Sequence, residues 1–438
     1  MIASIRSRGM FLNACPLPGE TRADDVVPAH PNAIPLSQDR WLFLYSTRGF
    51  QAVDDERSIV YQIRADTLDG PVLREGWIAR ARDDWDPFGR GERLRKEHGH
   101  PVAFGVPMGA RIGGRPAPHA GLCVIKWRVC GRAPVADPKR SAASRVAQGV
   151  EWMQGRLNAA GDDLEILQPA GPLRQKGCET GERFCGLDRV AWMNQSFVQA
   201  VPFNAAADEW VDVNHFDGGI LAALKYRYNP RAHRYEWTET GPALRARNGS
   251  LSEASLVRTR DGWLIAARGD PGPIRWFSSE DPFEQIEGPF EGDFSPRSPI
   301  SLYTAPDGST LLFTGNPAIS PHRNARDPLY CFEADLANGF RVREPRVVFD
   351  SVAAGLGFRA ESVPRVDMGK LVSHAGGRRQ FILHRVRTKS INVPANTPFP
   401  VTEAEKRACG IYLAEILYAE DLPGAWRFAT PHAAQIPA

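Results

Sequence analysis

The sequence lacks a regular cysteine pattern and a large net charge, two features that indicate particular classes of protein. Its 438 residues include 7 Cys, with no CxxC pair and no regular spacing, so we expect neither a disulfide framework nor a zinc cluster. Cys178 and Cys185 could close a short loop or stay reduced. The 54 Lys and Arg exceed the 51 Asp and Glu by only 3 charges, which does not favour nucleic acid or membrane partners.

Long apolar runs are also absent from the sequence. No uninterrupted apolar span reaches about 18 residues, so no membrane helix is expected. The segment "MIASIRSRGMFLNACPLPGE" has no apolar stretch of signal-peptide length. We therefore expect a cytoplasmic protein, or a periplasmic or secreted one if a leader was removed. The sequence indicates no metal and no cofactor, and it leaves the oligomeric state open.

Short strand-like segments separated by turn residues are abundant. Hairpin signals occur at Asp261-Gly262, Asp307-Gly308 and Gly376-Gly377. Helical periodicity is nearly absent, apart from one short helix expected within 402–410. The strand-like segments lie at 41–45, 58–64, 122–130, 220–228, 263–268, 310–315, 380–386 and 411–418.

A polar start, an apolar run, a turn and a second apolar run recur along the chain. The pattern is found near 30–45, 253–268, 298–314 and 364–384, with weaker copies near 100–130 and 195–228. About six such units predict four-stranded sheets arranged radially, which leave only short strand edges exposed. We therefore predict an all-β fold, a six-bladed β-propeller with seven blades as the alternative, and a single domain over residues 1–438.

Three segments carry a resemblance to a known superfamily. They are "SEASLVRTRDGWLIAARGD", "SPRSPISLYTAPDGSTLLFTGNP" and "HPNAIPLSQDRWLFLYSTRGFQAVDDERSIVYQIR", and "FSSEDPFEQ" looks like an eroded Asp box. The chain resembles the sialidase-like propellers with Asp-box (BNR) repeats, from about residue 28 onward. In sialidases of this fold three arginines hold the substrate carboxylate, a glutamate activates a tyrosine nucleophile, and an aspartate is the acid/base.

The resemblance implies roles for particular residues. Glu253 matches the glutamate, Arg268 the second arginine and Arg326 the third. Asp54, six residues after Arg48, matches the acid/base aspartate, with Asp55 as a close rival. These roles are chemically reasonable, because arginine binds carboxylates bidentately and a buried carboxyl group can protonate a leaving oxygen.

Two positions depart from the sialidase pattern. The first-arginine position reads "AHPNAI", with His30 and Asn32, and the tyrosine segment reads "ESVPRVDMGKLVSHAGG", where Asp367 and Lys370 are the polar residues. The candidate catalytic residues are therefore Glu253, Asp54, Asp367 and His30. The candidate substrate-binding residues are Arg48, Arg268, Arg326, Asn32 and His384.

Three functions fit this set of residues. We expect an exo-acting glycoside hydrolase that releases a terminal sugar, acidic or neutral, from an oligosaccharide or polysaccharide. The alternatives are a lyase in which His30 removes a proton beside a uronate carboxylate, and a non-catalytic carbohydrate-binding propeller. Structural roles also stay open: Arg268 could form a salt bridge between blades, and His384 could be a core histidine.

Overall fold

Six antiparallel sheets follow one another along the chain and form the blades of a β-propeller. This confirms the predicted all-β fold and the blade number. The computed structural model describes residues 2–13, 26–49, 56–85, 91, 94–132, 145–176, 193–195, 200–216, 219–259, 261–270, 272–304, 311–317, 320–322, 326–335, 341–342, 345–360, 362–373, 379–390 and 401–418.

The first three blades use the strands up to residue 240. The first strand of the chain, β1 (Ile2–Asn13), belongs to the last blade. Blade 1 contains β2 (Val26–Pro35), β3 (Arg40–Gly49), β4 (Glu56–Ala65) and β5 (Val72–Ala79). Blade 2 contains β6 (Arg82–Trp85), β7 (Leu94–Gly105), the small hairpin β8 (Arg111–Ile112) and β9 (Arg115–Pro116), then β10 (Leu122–Arg132), β11 (Arg145–Leu157) and β12 (Leu164–Pro172). Blade 3 contains β13 (Met193–Gln195), β14 (Val201–Pro202), β15 (Glu209–Phe216), β16 (Ile220–Asn229) and β17 (Arg234–Thr240).

The last three blades repeat the arrangement. Blade 4 contains β18 (Ser250–Thr259), β19 (Gly262–Asp270), β20 (Ile274–Ser279) and β21 (Glu287–Glu291). Blade 5 contains β22 (Ser301–Thr304), β23 (Leu311–Gly315), β24 (Leu329–Asp335), β25 (Arg341–Val342) and β26 (Arg346–Phe349). Blade 6 contains β27 (Ser362–Ser373), β28 (Arg379–Ser390) and β29 (Gly410–Tyr418), with the helix α1 (Glu403–Ala408) between the last two.

The ring is closed by the first strand of the chain. Strand β1 pairs antiparallel with β29, from Ile2 opposite Tyr418 to Asn13 opposite Gly410. Blade 6 is thus built from both ends of the described chain. This pairing removes two exposed strand edges, which are otherwise sites of aggregation.

Apolar side chains fill the space between neighbouring blades. Six buried clusters each combine residues of two adjacent blades. Large aromatic residues contribute to them: Trp41, Trp127 and Trp276 are each 1% exposed. Burial of such a side chain stabilises the fold by roughly 1.5–3 kcal/mol, so packing between blades holds the inner strands in place.

The described helix is short and firmly capped. Thr402 and Glu405 form a reciprocal capping box, and Glu405 also accepts hydrogen bonds from Arg359 and Ser362. The helix expected within 402–410 is therefore confirmed. No helix among the described residues has the length and apolar character needed to cross a membrane.

Other sequence-based expectations have mixed outcomes. All eight strand-like segments overlap strands of the blades, and the Asp261-Gly262 turn joins β18 to β19. The turns at 307–308 and 376–377, and both Cys178 and Cys185, lie outside the described residues. The single-domain organisation over residues 1–438 stays a prediction.

Candidate functional site

Four inner strands carry a bulge at the same place in their blades. Two residues of the inner strand face one residue of its neighbour, at 30–31, 100–101, 253–254 and 368–369. The first residue of each pair has left-handed backbone: His30 (φ 50), His100 (φ 51), Glu253 (φ 48) and Met368 (φ 59). Non-glycine residues rarely adopt this conformation, and such strain is concentrated at functional sites.

The residues opposite these bulges form a second equivalent set. The residue just before each bulge pairs with Ser46 in blade 1, Arg128 in blade 2, Arg268 in blade 4 and Arg385 in blade 6. Arginine thus occupies the same position in alternate blades. This repeated placement brings three guanidinium groups towards the inner strands.

Asp367 is a buried anion that holds two arginines. Its Oδ1 accepts from Arg385 Nε at 2.9 Å, and its Oδ2 accepts from Arg326 Nη1 at 2.8 Å. Burial alone would raise the pKa of Asp367, but the charges of Arg385, Arg326, Arg387 and Arg365 outweigh it and lower this pKa far below its usual value. Asp367 is therefore ionised and fully occupied in holding arginines.

The histidine His30 is held in one tautomer. Arg385 Nη1 can only donate, so His30 Nε2, 3.1 Å away, accepts. His30 Nδ1 then donates to Ser46 Oγ at 2.7 Å, and that hydroxyl donates to the carbonyl oxygen of Ala29 at 3.2 Å. The ring also stacks on His100, with centroids 3.7 Å apart. His30 is thus a neutral, buried link between blades 1, 2 and 6.

Glu253 is the second carboxylate of the site. Its Oε2 is 2.5 Å from Arg268 Nη1. Lys370 of blade 6 donates from its Nζ to Ser301 Oγ at 3.2 Å. Burial lowers the pKa of Lys370 to about 7, although the negative charge of Glu253 acts in the opposite direction.

Blades 2 and 3 complete the ring of polar residues. Burial, together with the charges of Arg128 and Arg268, lowers the pKa of His215 to about 4. His215 on β15 is therefore close enough to both arginines to be influenced by their charges. All six blades contribute a polar side chain to this set, which we call the axial cluster: His30, His100, Arg128, His215, Glu253, Arg268, Ser301, Arg326, Asp367, Lys370 and Arg385.

Exposure separates the outer from the inner members of the axial cluster. The side chains of Arg326, Arg268 and Glu253 are 22%, 19% and 13% exposed. Those of Asp367 and Arg385 are 0% and 1% exposed. A ligand would therefore meet Arg326, Arg268 and Glu253 first, while the inner Asp367 fixes the position of Arg326.

Four predicted residues remain, and the structure describes the side chains of two of them, Asn32 and His384. Asn32 Oδ1 accepts from the backbone N–H of Ala103 at 3.1 Å, which ties blade 1 to blade 2. His384 is buried against Phe349 and Tyr412, with ring centroids 5.0 and 5.9 Å away. Arg48 lies in β3, where its backbone pairs with Val27. Asp54 and its rival Asp55 lie outside the described residues.

Sequence reasoning missed several members of the axial cluster. Arg385 and Arg128 sit inside alternating strand sequences, where a charged residue gives no sign of its environment. His100 carried a weak signal, because the His-Pro pair at 100–101 repeats the pair at 30–31. Both pairs prove to be bulges at equivalent positions. Lys370 lies in the segment that lacks a tyrosine, and its sequence context alone does not mark it as a site residue.

A separate group of titratable residues lies beside a cleft of about 500 Å³ between blades 5 and 6. The ligand atoms of His322, Asp327 and Asp350 are within 4.8 Å of one another, a spacing that could hold a metal ion. His322 Nε2 is 3.0 Å from Asp350 Oδ2, and Ser351 hydrogen-bonds to Asp327 through its hydroxyl and its backbone N–H. These contacts hold the three side chains close together.

Comparisons with solved structures agree with the propeller fold. A Trypanosoma rangeli sialidase is 10% identical, with a TM-score of 0.50 over 90% of this chain and 55% of that one. A mutant NanB sialidase from Streptococcus pneumoniae is 9% identical, with a TM-score of 0.52 over 95% and 70%. A Dyadobacter fermentans protein of unknown function is 13% identical, with a TM-score of 0.52 over 95% and 100%.

These similarities concern the fold. The chain spans about half the length of the Trypanosoma sialidase. No protein-family model matches the sequence. No curated protein matches it either. The fold is that of the sialidase-like β-propellers, in a divergent form, as the sequence motifs predicted.

Proposed function

We propose that the protein is an exo-acting glycoside hydrolase that releases a terminal acidic sugar from an oligosaccharide or polysaccharide. The observation that supports this most is the environment of Glu253. It is a partly exposed carboxylate, paired with Arg268 and influenced by the charge of Lys370. A carboxylate in such a place can act on the anomeric carbon of a bound sugar, as base or as nucleophile.

The charge of the axial cluster favours an anionic sugar. Its two carboxylates, Glu253 and Asp367, are outnumbered by four arginines and a lysine. Asp367 pairs with Arg385 and Arg326, and Glu253 pairs with Arg268, so the cluster keeps an excess of positive charge, and Arg268 and Arg326 are its partly exposed cations. Guanidinium groups bind carboxylates through two parallel hydrogen bonds, so a sialic acid or a uronic acid is the expected class of sugar.

The lyase alternative is less favoured by the surroundings of His30. That function needs a histidine nitrogen able to take a proton from the sugar. In the structure Nε2 accepts from Arg385 and Nδ1 donates to Ser46, while the residue is only 3% exposed. Both nitrogens are therefore engaged in hydrogen bonds within the protein.

Product analysis with a panel of sialylated and uronate-terminated oligosaccharides tests the proposal. A hydrolase gives a free reducing sugar, whereas a lyase gives an unsaturated uronate that absorbs near the ultraviolet edge. We expect the wild-type protein to release the reducing sugar, and Glu253→Gln to lower kcat by roughly 10²–10⁴-fold. Turnover in the Gln variant at the wild-type rate would refute the role of Glu253.

A matched control comes from blade 3. Glu239 is also paired with a cation, Lys225, at 2.6 Å, but it is not part of the axial cluster. Glu239→Gln should therefore leave kcat unchanged. Binding of an oligosaccharide without turnover by the wild-type protein would instead indicate a non-catalytic propeller.

A further inference from the structure

The bulge in β27 lies immediately before Lys370. Asp367 faces Arg385 across the sheet, residues 368–369 are the bulge, and Lys370 then faces Leu383. The lysine is 6% exposed, and its Nζ donates to Ser301 Oγ of blade 5 at 3.2 Å. A buried ammonium group is costly, since it gives up its hydration, so its placement here calls for a function.

The negative charge of one acid acts on this lysine. Glu253 on β18 raises the pKa of Lys370, so the two charges interact across blades 4 to 6. Asp367, three residues earlier on the same strand, is already held by Arg326 and Arg385. His30 is neutral and faces Arg385. Glu253 is therefore the carboxylate with which Lys370 can work as an acid–base pair.

We propose that Lys370 is the proton donor of the site and protonates the oxygen of the leaving group. The proposal rests on the hydrolase function proposed above and supplies its acid. Glu253 is held ionised by Arg268 and suits the opposite role, that of base. The observed burial also agrees with an acid that works near neutral pH, since it lowers the pKa of Lys370 to about 7.

The proposed step balances in atoms and charge. The bond between the anomeric carbon and the leaving oxygen breaks, and its electron pair stays on that oxygen, which takes a proton from the Lys370 ammonium. The oxygen of a water molecule bonds to the anomeric carbon and gives up a proton to the Glu253 carboxylate. Return of that proton from Glu253 to the neutral amine of Lys370 restores both groups.

Leaving groups of different basicity test this role directly. The probes are the methyl and 4-nitrophenyl glycosides of N-acetylneuraminic acid and of glucuronic acid. Nitrophenolate leaves without a proton, whereas methoxide does not. We expect Lys370→Met to lower kcat on the methyl glycoside by roughly 10²–10⁴-fold but on the nitrophenyl glycoside by less than about tenfold. Lys225→Met, outside the axial cluster, should affect neither.

The pH dependence supplies a second measurement. Wild-type kcat on the methyl glycoside should fall as pH rises through about 7, because the acid is then deprotonated. Lys370→Arg keeps the positive charge, but its turnover should be much slower than that of the wild type. Its kcat should not decline with rising pH, since an arginine stays protonated. Equal losses on both glycosides, or a wild-type profile that is flat through neutral pH, would overturn the role of Lys370 and leave the hydrolase function intact. Absence of wild-type turnover on the probes and on the oligosaccharide panel would instead overturn the hydrolase function, and the role of Lys370 with it.

Discussion

Arg385 Nη2 lies 2.5 Å from Asp367 Oδ1, and both side chains are almost completely buried. The same guanidinium group donates to His30, so Arg385 links blade 6 to blade 1. Asp367 also holds Arg326 of blade 5. Blades 5, 6 and 1 are therefore joined through Asp367 and Arg385, and Asp367 is a positioning residue.

Asp367→Asn should destabilise the protein by about 3–5 kcal/mol, because it leaves buried guanidinium charge without its partner. Denaturant unfolding measures this loss. Glu165→Gln is the control, since its ion pair with Arg156 is exposed and should contribute little to stability. Equal midpoints for the two variants would contradict the role assigned to Asp367.

The pKa of His215 is sensitive to the charge of Arg128, the arginine opposite the bulge of blade 2. Its pKa is lowered to about 4 by burial and by the charges of Arg128 and Arg268. Arg128→Gln removes one of those charges, so the pKa of His215 should rise while staying below the ordinary 6.5. NMR titration of the imidazole measures the shift. Arg227→Gln, which breaks an exposed pair with Glu209, should leave the pKa unchanged.

Much of the fold could be predicted from the sequence because each blade is a local pattern. The apolar runs at 41–45 and 263–268 and the Asp261-Gly262 turn specify strands and hairpins through neighbouring residues alone. The recurrence of this pattern then indicated the blade number. The pairing of β1 with β29 was not predicted, since it joins segments some 400 residues apart.

The candidate site was predictable only in part. Glu253, Arg268 and Arg326 were found through their resemblance to a known pattern, and the structure brings the first two into contact. Arg385 and Lys370 were not among the candidates: Arg385 lies in an alternating strand sequence that gives no sign of its environment, and the bulge at 368–369 decides which way Lys370 faces. A bulge shifts the alternation of a strand by one residue, and its position cannot be read from alternation alone.

His384 illustrates the opposite outcome, a candidate that the structure places in the core. Burial lowers its pKa to about 3, so it is neutral in the folded protein and gains a proton only on unfolding at mildly acidic pH. His384→Phe should leave kcat unchanged and cost less than about 1.5 kcal/mol at pH 7.

The pH dependence of the His384→Phe variant follows from the same burial. Wild-type stability falls as pH drops from 6.5 towards 3, since the unfolded chain binds a proton there that the folded protein does not. The Phe variant should lose less stability over that window, as thermal unfolding at pH 7 and pH 5 would show. A large loss of turnover in this variant would place His384 back among the substrate-binding residues.

The buried Lys370 should lower the stability of the folded protein in a pH-dependent way. Its folded pKa, about 7, is lower than the ordinary 10.5, so the unfolded chain binds a proton more tightly between these two values. Wild-type stability should therefore rise with pH from about 7 to 10.5. Lys370→Met removes this pH dependence and should be more stable than wild type at pH 6 by about 2–4 kcal/mol. Each unit of pKa difference corresponds to about 1.4 kcal/mol of stability gained, and loss of the hydrogen bond to Ser301 offsets part of that gain.

Denaturant unfolding of the Lys370→Met variant at pH 6, 8 and 10 measures the effect. The advantage over wild type should shrink steadily and nearly vanish at the highest pH. Lys225→Met serves as the control, because that lysine pairs with Glu239 and should stabilise the fold. A lysine present for structure alone would behave like Lys225, with a variant less stable than wild type at every pH. A gain in stability combined with a loss of turnover is the combination expected of a proton donor held in an unfavourable environment.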